Sequence, residues 1–277
     1  MEVIRTISDL RARLSGEPRV ALVPTMGNIH EGHLSLVHIG HAQAPLVVTS
    51  IFVNRLQFGQ GEDFDHYPRT FADDCEKLAA AGNHIVFHPD ETQMYPEPQV
   101  FVVEPPPIAN KLEGRFRPGH FRGMATVVLK LFNAVQPQIA VFGKKDYQQI
   151  SIVRHMVDQF ALPLSIVRAE TVRAPDGLAL SSRNRFLSET ERAEAPRLHR
   201  VLARVKEQVE AGDLNFEAIE FGADTELARH GWHIDYVMVR SRRTLMQSED
   251  GEKELVVLGA AKLGATRLID NLEILAS

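Results

Sequence analysis

Five short, almost unbroken apolar runs punctuate residues 1–170: RVALVPT (19–25), PLVVTSIFV (45–53), NHIVFHP (83–89), QIAVFG (138–143) and LPLSIVRAETV (162–172). A strand with one wet face alternates polar and apolar residues. These runs do not, so each is predicted to be a strand buried on both faces. Pro, Gly or Asn bounds them, and several are rich in valine and isoleucine. Helical patterns lie between them at 33–44, 70–82, 124–135 and 146–160, with Thr70 placed to cap the second and Gly82 to end it. Strand–helix alternation of this kind predicts a parallel sheet with helices on both faces, a Rossmann-like α/β layer. Ligands of such sheets bind beyond the carboxyl ends of the strands.

After about residue 185 the pattern changes. SETERAEAPRLHRVLARVKEQVEAG (188–212) is predicted as one long amphipathic helix, opening at Ser188 with Glu191 three residues on, a capping box. NFEAIEFGADTELARHG (215–231) is predicted as a second helix ending at Gly231. HIDYVMVRS, KELVVLGAAKL and TRLIDNLEIL are strand-like and close the chain. This part is predicted as a small α+β C-terminal domain, with the chain divided into 1–174 and 175–277. The net charge of −5 argues against nucleic acid as the main partner. The single cysteine, Cys75, excludes an internal disulfide and a cysteine-based zinc site, and it fits a reducing cytoplasm. MEVIRTISDL lacks the succession of segments that makes a signal peptide, and no apolar run is long enough to cross a membrane.

PTMGNIHEGH (24–33) follows directly on the first strand and brings His30 and His33 to the start of a helix. Spaced three apart, both rings fall on one side of the first turn. That turn has unpaired backbone N–H groups and the positive end of the helix dipole. Gly27 and Gly32 let the backbone come close to a ligand. Together these features make a phosphate site. A zinc site is disfavoured, because His-x-x-His here lacks a third ligand nearby.

The other polar strings sit at strand ends or in loops. Asn54 and Gln57 follow the second long strand, where amides either cap the loop or reach a hydroxyl-bearing ligand. GRFRPGHFRG (114–123) carries Arg115, Arg117, His120 and Arg122 between glycines, and is predicted as a mobile basic loop gating the site. In FGKKDYQQ (142–149), Lys145 can offset phosphate charge, Asp146 can hold magnesium or a ribose, and Gln149 lies one helical turn on. LALSSRN (178–184) offers two hydroxyls and a guanidinium, which suit a bent triphosphate or make an ordinary polar loop.

His30-Glu31-Gly32-His33 has the H-x-G-H form of the nucleotidyl-transferase superfamily. The ordered series VPTMGNIHEGH, TSIFVNRLQF, YPRT, RPGHFRG, FGKKDYQQ, ALSSRN and TRLIDN is more specific. It resembles the pantothenate synthetase family over residues 20–271. These ligases join pantoate to β-alanine in coenzyme A precursor synthesis, with ATP going to AMP and pyrophosphate. The resemblance implies a pantoyl-adenylate intermediate, magnesium with the ATP phosphates, possible metal contact at Asp146, a cytoplasmic homodimer, and a C-terminal domain acting as a lid. It implies His30, His33 and Lys145 as catalytic groups. It implies an ATP site formed by Met26, Gly27, Asn28, Ile29, His30, Glu31, Gly32 and His33, by Gly143, Lys144, Lys145 and Asp146, and by Val172, Leu180, Ser181, Ser182 and Arg183. Gln57 and Gln149 would bind pantoate, with Asn54 near, and Tyr67 would shape the β-alanine pocket. The chain departs from the family at Arg55, where proline is usual, and at Lys144, where an acidic residue or glutamine is common.

Overall fold

The computed structural model describes residues 1–59, 61, 62 and 64–276. The chain divides into two compact units: Met1–Lys144 with Gln149–Glu170, and Lys145–Gln148 with Thr171–Ser277. The short segment at 145–148, which the expected division at 174/175 leaves in the first domain, groups with the second unit.

In the first unit the five predicted runs become β2 (Val20–Thr25), β3 (Leu46–Ile51), β4 (Ile85–Phe87), β5 (Ile139–Gly143) and β6 (Ser165–Ala169). A further strand, β1 (Glu2–Ile4), was not foreseen. It pairs with β4 and is followed by α1 (Ile7–Leu14), with Thr6 as its N-cap. The six strands lie in the order β1-β4-β3-β2-β5-β6, and every neighbouring pair is parallel. Alternate residues of β2 to β6 feed two separate cores. Val20, Leu22, Val48, Phe87 and Phe142 pack in one, and Ala21, Val23, Val47, Val86 and Val141 in the other. That division is the two-faced burial expected of unbroken apolar strands.

The helices supply the covers. α2 (Glu31–Gln43) contributes Leu36 and Val37 to the second core, and α3 (Phe71–Ala80) contributes Leu78. After α4 (Glu91–Met94) and α5 (Glu113–Phe116) come α6 (His120–Val135) and α7 (Tyr147–Gln159), whose apolar faces line the first core with Leu10 of α1. Thr70 stands at the N-cap position of α3, yet its side chain makes no capping bond. Its hydroxyl donates instead to Asp74, at 3.1 Å. Gly82 follows the end of α3 with φ +76, as a closing glycine should.

The chain runs outward from β2 through β3 to β4, then returns to the other side of β2 at β5. This reversal is the topological switch point at which such sheets bind ligands. The β2–β5 pairing covers Ala21 with Ile139 and Leu22 with Ala140, and goes no further toward the carboxyl ends.

The second unit begins its regular structure with α8 (Glu189–Glu194) and α9 (Arg197–Glu210). The sequence pattern predicts one helix here, but the chain breaks at Pro196, which has no N–H to give to a continuing helix. The Ser188–Glu191 capping box forms as predicted. α10 (Phe216–Arg229) follows, and then the antiparallel sheet β7 (Trp232–Ser241), β8 (Glu254–Leu263) and β9 (Thr266–Leu275). Leu198, Val201, Leu202, Val205 and Val209 form one stripe of α9 and pack with Val257, Leu268 and Ile274 of the sheet.

Candidate active site

The loop after β2 is held from below. Gly27 (φ +83) and Asn28 (φ +52) both take left-handed backbone conformations. The turn points two amide groups at one carboxylate: Asn28 N–H and Ile29 N–H donate to Asp74 of α3 at 2.9 and 2.7 Å. Asp74 is 0% exposed. Lys77, one turn on, donates to the Ile29 carbonyl at 2.9 Å. A Cβ at Gly27 would lie 3.0 Å from the Asp74 carboxylate and 3.1 Å from Ile51, so glycine is required both by conformation and by space.

α2 starts at Glu31, two residues earlier than its apolar pattern suggests, and His30 is its N-cap. Gly32 N–H donates to His30 Nδ1 at 3.1 Å, and His30 N–H donates to His33 Nδ1 at 3.4 Å. The two histidines thus form a reciprocal capping box, a role that Ser and Glu usually fill. Their rings stack with centroids 4.0 Å apart. Each Nδ1 accepts a backbone N–H, so each neutral ring carries its proton on Nε2. The arrangement presents two imidazole donors at the positive end of a helix, which suits an anionic ligand.

Beyond β3, the chain makes one 3₁₀ turn at Arg55–Gln57. Asn54 is 1% exposed and fully engaged: its amide donates to Gln57 Oε1 at 3.1 Å and to the Gly123 carbonyl at 3.2 Å, and its Oδ1 accepts the Tyr95 hydroxyl at 2.7 Å. Its place is therefore to fix Gln57. The Gln57 side-chain amide lies 3.1 Å from the sulfur of Met26, on the loop after β2. Tyr67 is buried and packs edge-on to Phe58. Arg55 stays exposed, with its guanidinium 4.0 Å from the Phe64 ring centre and 3.5 Å from Glu91.

The basic string at 114–123, expected as a gating loop, is mostly helical, lying in α5 and the start of α6. α6 begins at His120, four residues before its predicted start. His120 is buried, with Nδ1 2.8 Å from the Gln57 carbonyl. Arg117 pairs in two-pronged fashion with Glu62, at 2.6 and 3.0 Å. Burial pushes the Glu62 carboxyl up, but the Arg117 pair outweighs it and holds the group below its usual range. Arg115 and Arg122 remain exposed, and Arg122 pairs with Glu104.

Lys144, the last residue of the first unit's longer segment, pairs with Glu170 at 2.5 Å. The departure from the family pattern is thus matched by a carboxylate. Gln149 lies in α7 and is half-buried. Cys75 is a poor nucleophile: burial, and then the neighbouring Asp74, push its thiol up.

In the second unit, Lys145 has its Nζ 3.6 Å from Asp146. Residues 172–180 form a small hairpin, with Leu180 N–H donating to the Val172 carbonyl at 3.0 Å and a bridge between Arg173 and Ala179. It leads into Ser181, the N-cap of a 3₁₀ turn over Ser182–Phe186, whose hydroxyl accepts Arg183 N–H at 3.3 Å. Lys145, Ser181, Asn184, His199 and Asp270 line one small cavity. Burial alone would raise the Asp270 carboxyl, but His199 and Arg173 outweigh it and hold it low. Among the described residues, no three His, Cys, Asp or Glu side chains gather as a metal site.

The sequence gives no role to Asp74, Lys77 or Tyr95, and its pattern puts His120 in a loop, whereas His120 is buried at the start of α6. Asp74 had one sign: it falls on the same face of α3 as Leu78, four residues on, and a carboxylate on an apolar stripe needs buried partners. Tyr95 had none, because its partner Asn54 lies 41 residues off in the chain.

A doubly covered parallel sheet with H-x-G-H opening the helix after β2 resembles the enzymes of the nucleotidyl-transferase superfamily. Residues 2–273 match the family described as Pantoate-beta-alanine ligase, and the chain belongs to that family. It is 61% identical over 274 residues to the pantothenate synthetase of Nitrosospira multiformis, covering 99% of this chain and 98% of that one. With the Chromobacterium violaceum pantothenate synthetase it shares 58% identity over 275 residues, covering 99% of both. Among solved structures, pantothenate synthetase from Thermus thermophilus superposes with a TM-score of 0.92 at 42% identity, covering 98% of this chain and 99% of that one. The Francisella tularensis pantoate-β-alanine ligase, solved with β,γ-ATP and β-alanine, gives 0.81 at 32% identity, covering 98% and 97%.

Proposed function

We propose that the protein condenses (R)-pantoate with β-alanine to pantothenate, using ATP and releasing AMP and pyrophosphate. The observation that carries this reading is the stacked His30–His33 pair at the head of α2, in a chain of this family. A pantoate carboxylate oxygen attacks the α-phosphorus of ATP. The new O–P bond forms as the bond to the β-phosphate oxygen breaks, and pyrophosphate leaves with that electron pair. Negative charge gathers on the phosphoryl oxygens, and His30 and His33 meet it with Nε2–H donors. Lys145, Ser181, Ser182 and Arg183 bind phosphate oxygens. Met26–Ile29, Glu31, Gly32, Gly143, Lys144, Val172 and Leu180 complete the nucleotide contacts.

Gln57 and Gln149 hold pantoate, and Asn54 acts through Gln57. Tyr67 borders the β-alanine pocket. The free amine of β-alanine then attacks the acyl carbon of the adenylate, the C–O bond to AMP breaks, and the amine's surplus proton is lost. His33 is our choice for the group that handles a proton here. Magnesium enters with ATP as part of the substrate, and we assign Asp146 to the metal or the ribose. We further propose a cytoplasmic homodimer, which light scattering at working concentration tests; a monomer there removes the dimer from this reading. Among the described residues, no helix is long and apolar enough to cross a membrane.

The test is to incubate the protein with magnesium, ATP and pantoate, with and without β-alanine, and to follow pyrophosphate and AMP separately. Pantoate-dependent pyrophosphate, with AMP freed only once β-alanine is present, is the expected result. AMP retained in a stable product would point to nucleotidyl transfer, and ATP binding without turnover to a non-catalytic protein.

A further inference from the structure

We infer that Asp270 and Asn271, with Arg173, are positioning residues that hold Lys145 and the Ser181–Ser182–Arg183 turn in one arrangement for binding triphosphate. The inference rests on the assignment of those groups to ATP phosphate. TRLIDN (266–271) recurs among the ordered strings of the sequence, yet none of its residues has a role in the reaction as proposed.

Asp270 is 4% exposed on β9. Arg173 grips it with two parallel bonds, Nη1 to Oδ2 at 2.6 Å and Nη2 to Oδ1 at 2.8 Å. The same guanidinium donates to the Gly177 carbonyl at 3.1 Å and to the Asn271 carbonyl at 3.3 Å. One side chain thus ties β9 to the first arm and the turn of the 172–180 hairpin, and that hairpin runs directly into Ser181. His199 reinforces the turn: its Nδ1 is 3.5 Å from Asp270, and its ring fills the space where a Gly177 side chain would start, 2.6 Å away. Asn184, within the 3₁₀ turn, donates to the Ala179 carbonyl at 3.0 Å and joins the hairpin to the turn.

Asn271 reaches the other component. Its amide donates to the Lys145 carbonyl at 2.9 Å. Successive side chains of a strand point to opposite sides, which is how adjacent residues can serve two different segments. Lys145, Ser181 and Asp270 border the same cavity. A buried pair serving stability alone could be replaced by apolar side chains at little cost. A carboxylate gripped by two parallel guanidinium bonds, inside a polar network, fixes geometry instead.

The experiment uses the full chain with Asn271→Leu, which removes the donor to Lys145, and Arg173→Lys, which keeps the charge but loses the two-pronged grip. For each variant we would measure KM for ATP and for pantoate in pantoate-dependent pyrophosphate release, the Kd of a non-hydrolysable ATP analogue by calorimetry, and the melting midpoint. The expected result is a rise of roughly fivefold or more in KM for ATP and in analogue Kd, with KM for pantoate within about twofold of wild type. Folded variants with unchanged ATP KM and analogue Kd overturn the inference, as do equal rises in both KM values. If one variant fails to fold the other decides, and loss of fold in both overturns the inference by reducing the network to stability. Wild-type protein that binds the analogue but releases no pantoate-dependent pyrophosphate defeats the ligase reading alone, and the analogue Kd values still decide this one.

Discussion

Asp74 shows what a single buried carboxylate does here. It accepts two backbone N–H groups of the loop that leads into His30. Asp74→Ala leaves both donors unsatisfied, at about 1–3 kcal/mol each. The expected outcome is a drop of several degrees in melting temperature, with adenylate formation lost in the protein that still folds. An unchanged rate of pyrophosphate release would sink the view that Asp74 shapes the histidine site. The histidines themselves were legible because their context is local: a strand end, two glycines and a helix start lie within ten residues. Asp74 offered only its place on an apolar stripe, because the loop amides it holds are 45 and 46 residues away. Asn54 was legible as polar and site-adjacent. Its structural task became visible only with Tyr95 and Gly123, both distant in sequence.

The 54–57 turn and α6 act as a pair at the level of elements. Gly123 exists for close approach, since a Cβ there would fall 2.0 Å from the Leu56 carbonyl oxygen. Gly123→Ala must push the turn or the helix aside, costing about 1–3 kcal/mol. It is expected to raise KM for pantoate more than KM for ATP, and kinetics matching wild type would contradict that coupling. The neighbouring departure, Arg55, bears on the same turn from outside. Arg55 is the first residue of the 3₁₀ turn, where a missing N–H costs nothing, and Asn54 has ψ 107, which suits a residue before proline. Arg55→Pro is therefore expected to leave the melting temperature unchanged or raise stability by up to about 1 kcal/mol. It forfeits only exposed contacts to Phe64 and Glu91. A marked fall would mean the turn cannot accept proline. Element types were legible wherever the apolar period was long, as in β2, β3 and α9. The break at Pro196 was obscured by an amphipathic stripe that continues on both sides of it. The three-residue β1 offered no period at all, and it exists because β4 has an edge to pair.

Across the whole molecule, charge placement sets the pH response. Asp224 in α10 is pushed up to about 6, first by burial and then by the nearby Glu220. Folded Asp224 binds its proton more tightly than the unfolded chain does, from an ordinary value of 3.8. Its ionisation therefore costs stability as pH rises from about 4 through 6, and the penalty is complete above that. Asp224→Asn should stabilise the protein at pH 7 by about 1 kcal/mol after allowance for partial exposure, and the gain should vanish near pH 4. Equal melting shifts at both pH values would rule this out. The change of texture near residue 185 made a second unit legible, but the membership of Lys145–Gln148 was not. In sequence those residues are simply the link between a strand and a helix. In the structure Lys145 accepts a bond from Asn271, and the Tyr147 hydroxyl donates to Glu273 at 2.8 Å. The two units are therefore interlaced along the chain and not arranged in tandem. A fragment cut at residue 171 would deprive Asn271 and Glu273 of their bonds to Lys145 and Tyr147. Anyone wishing to exchange this unit between relatives would have to transplant a small exon-like patch from the first half along with the second.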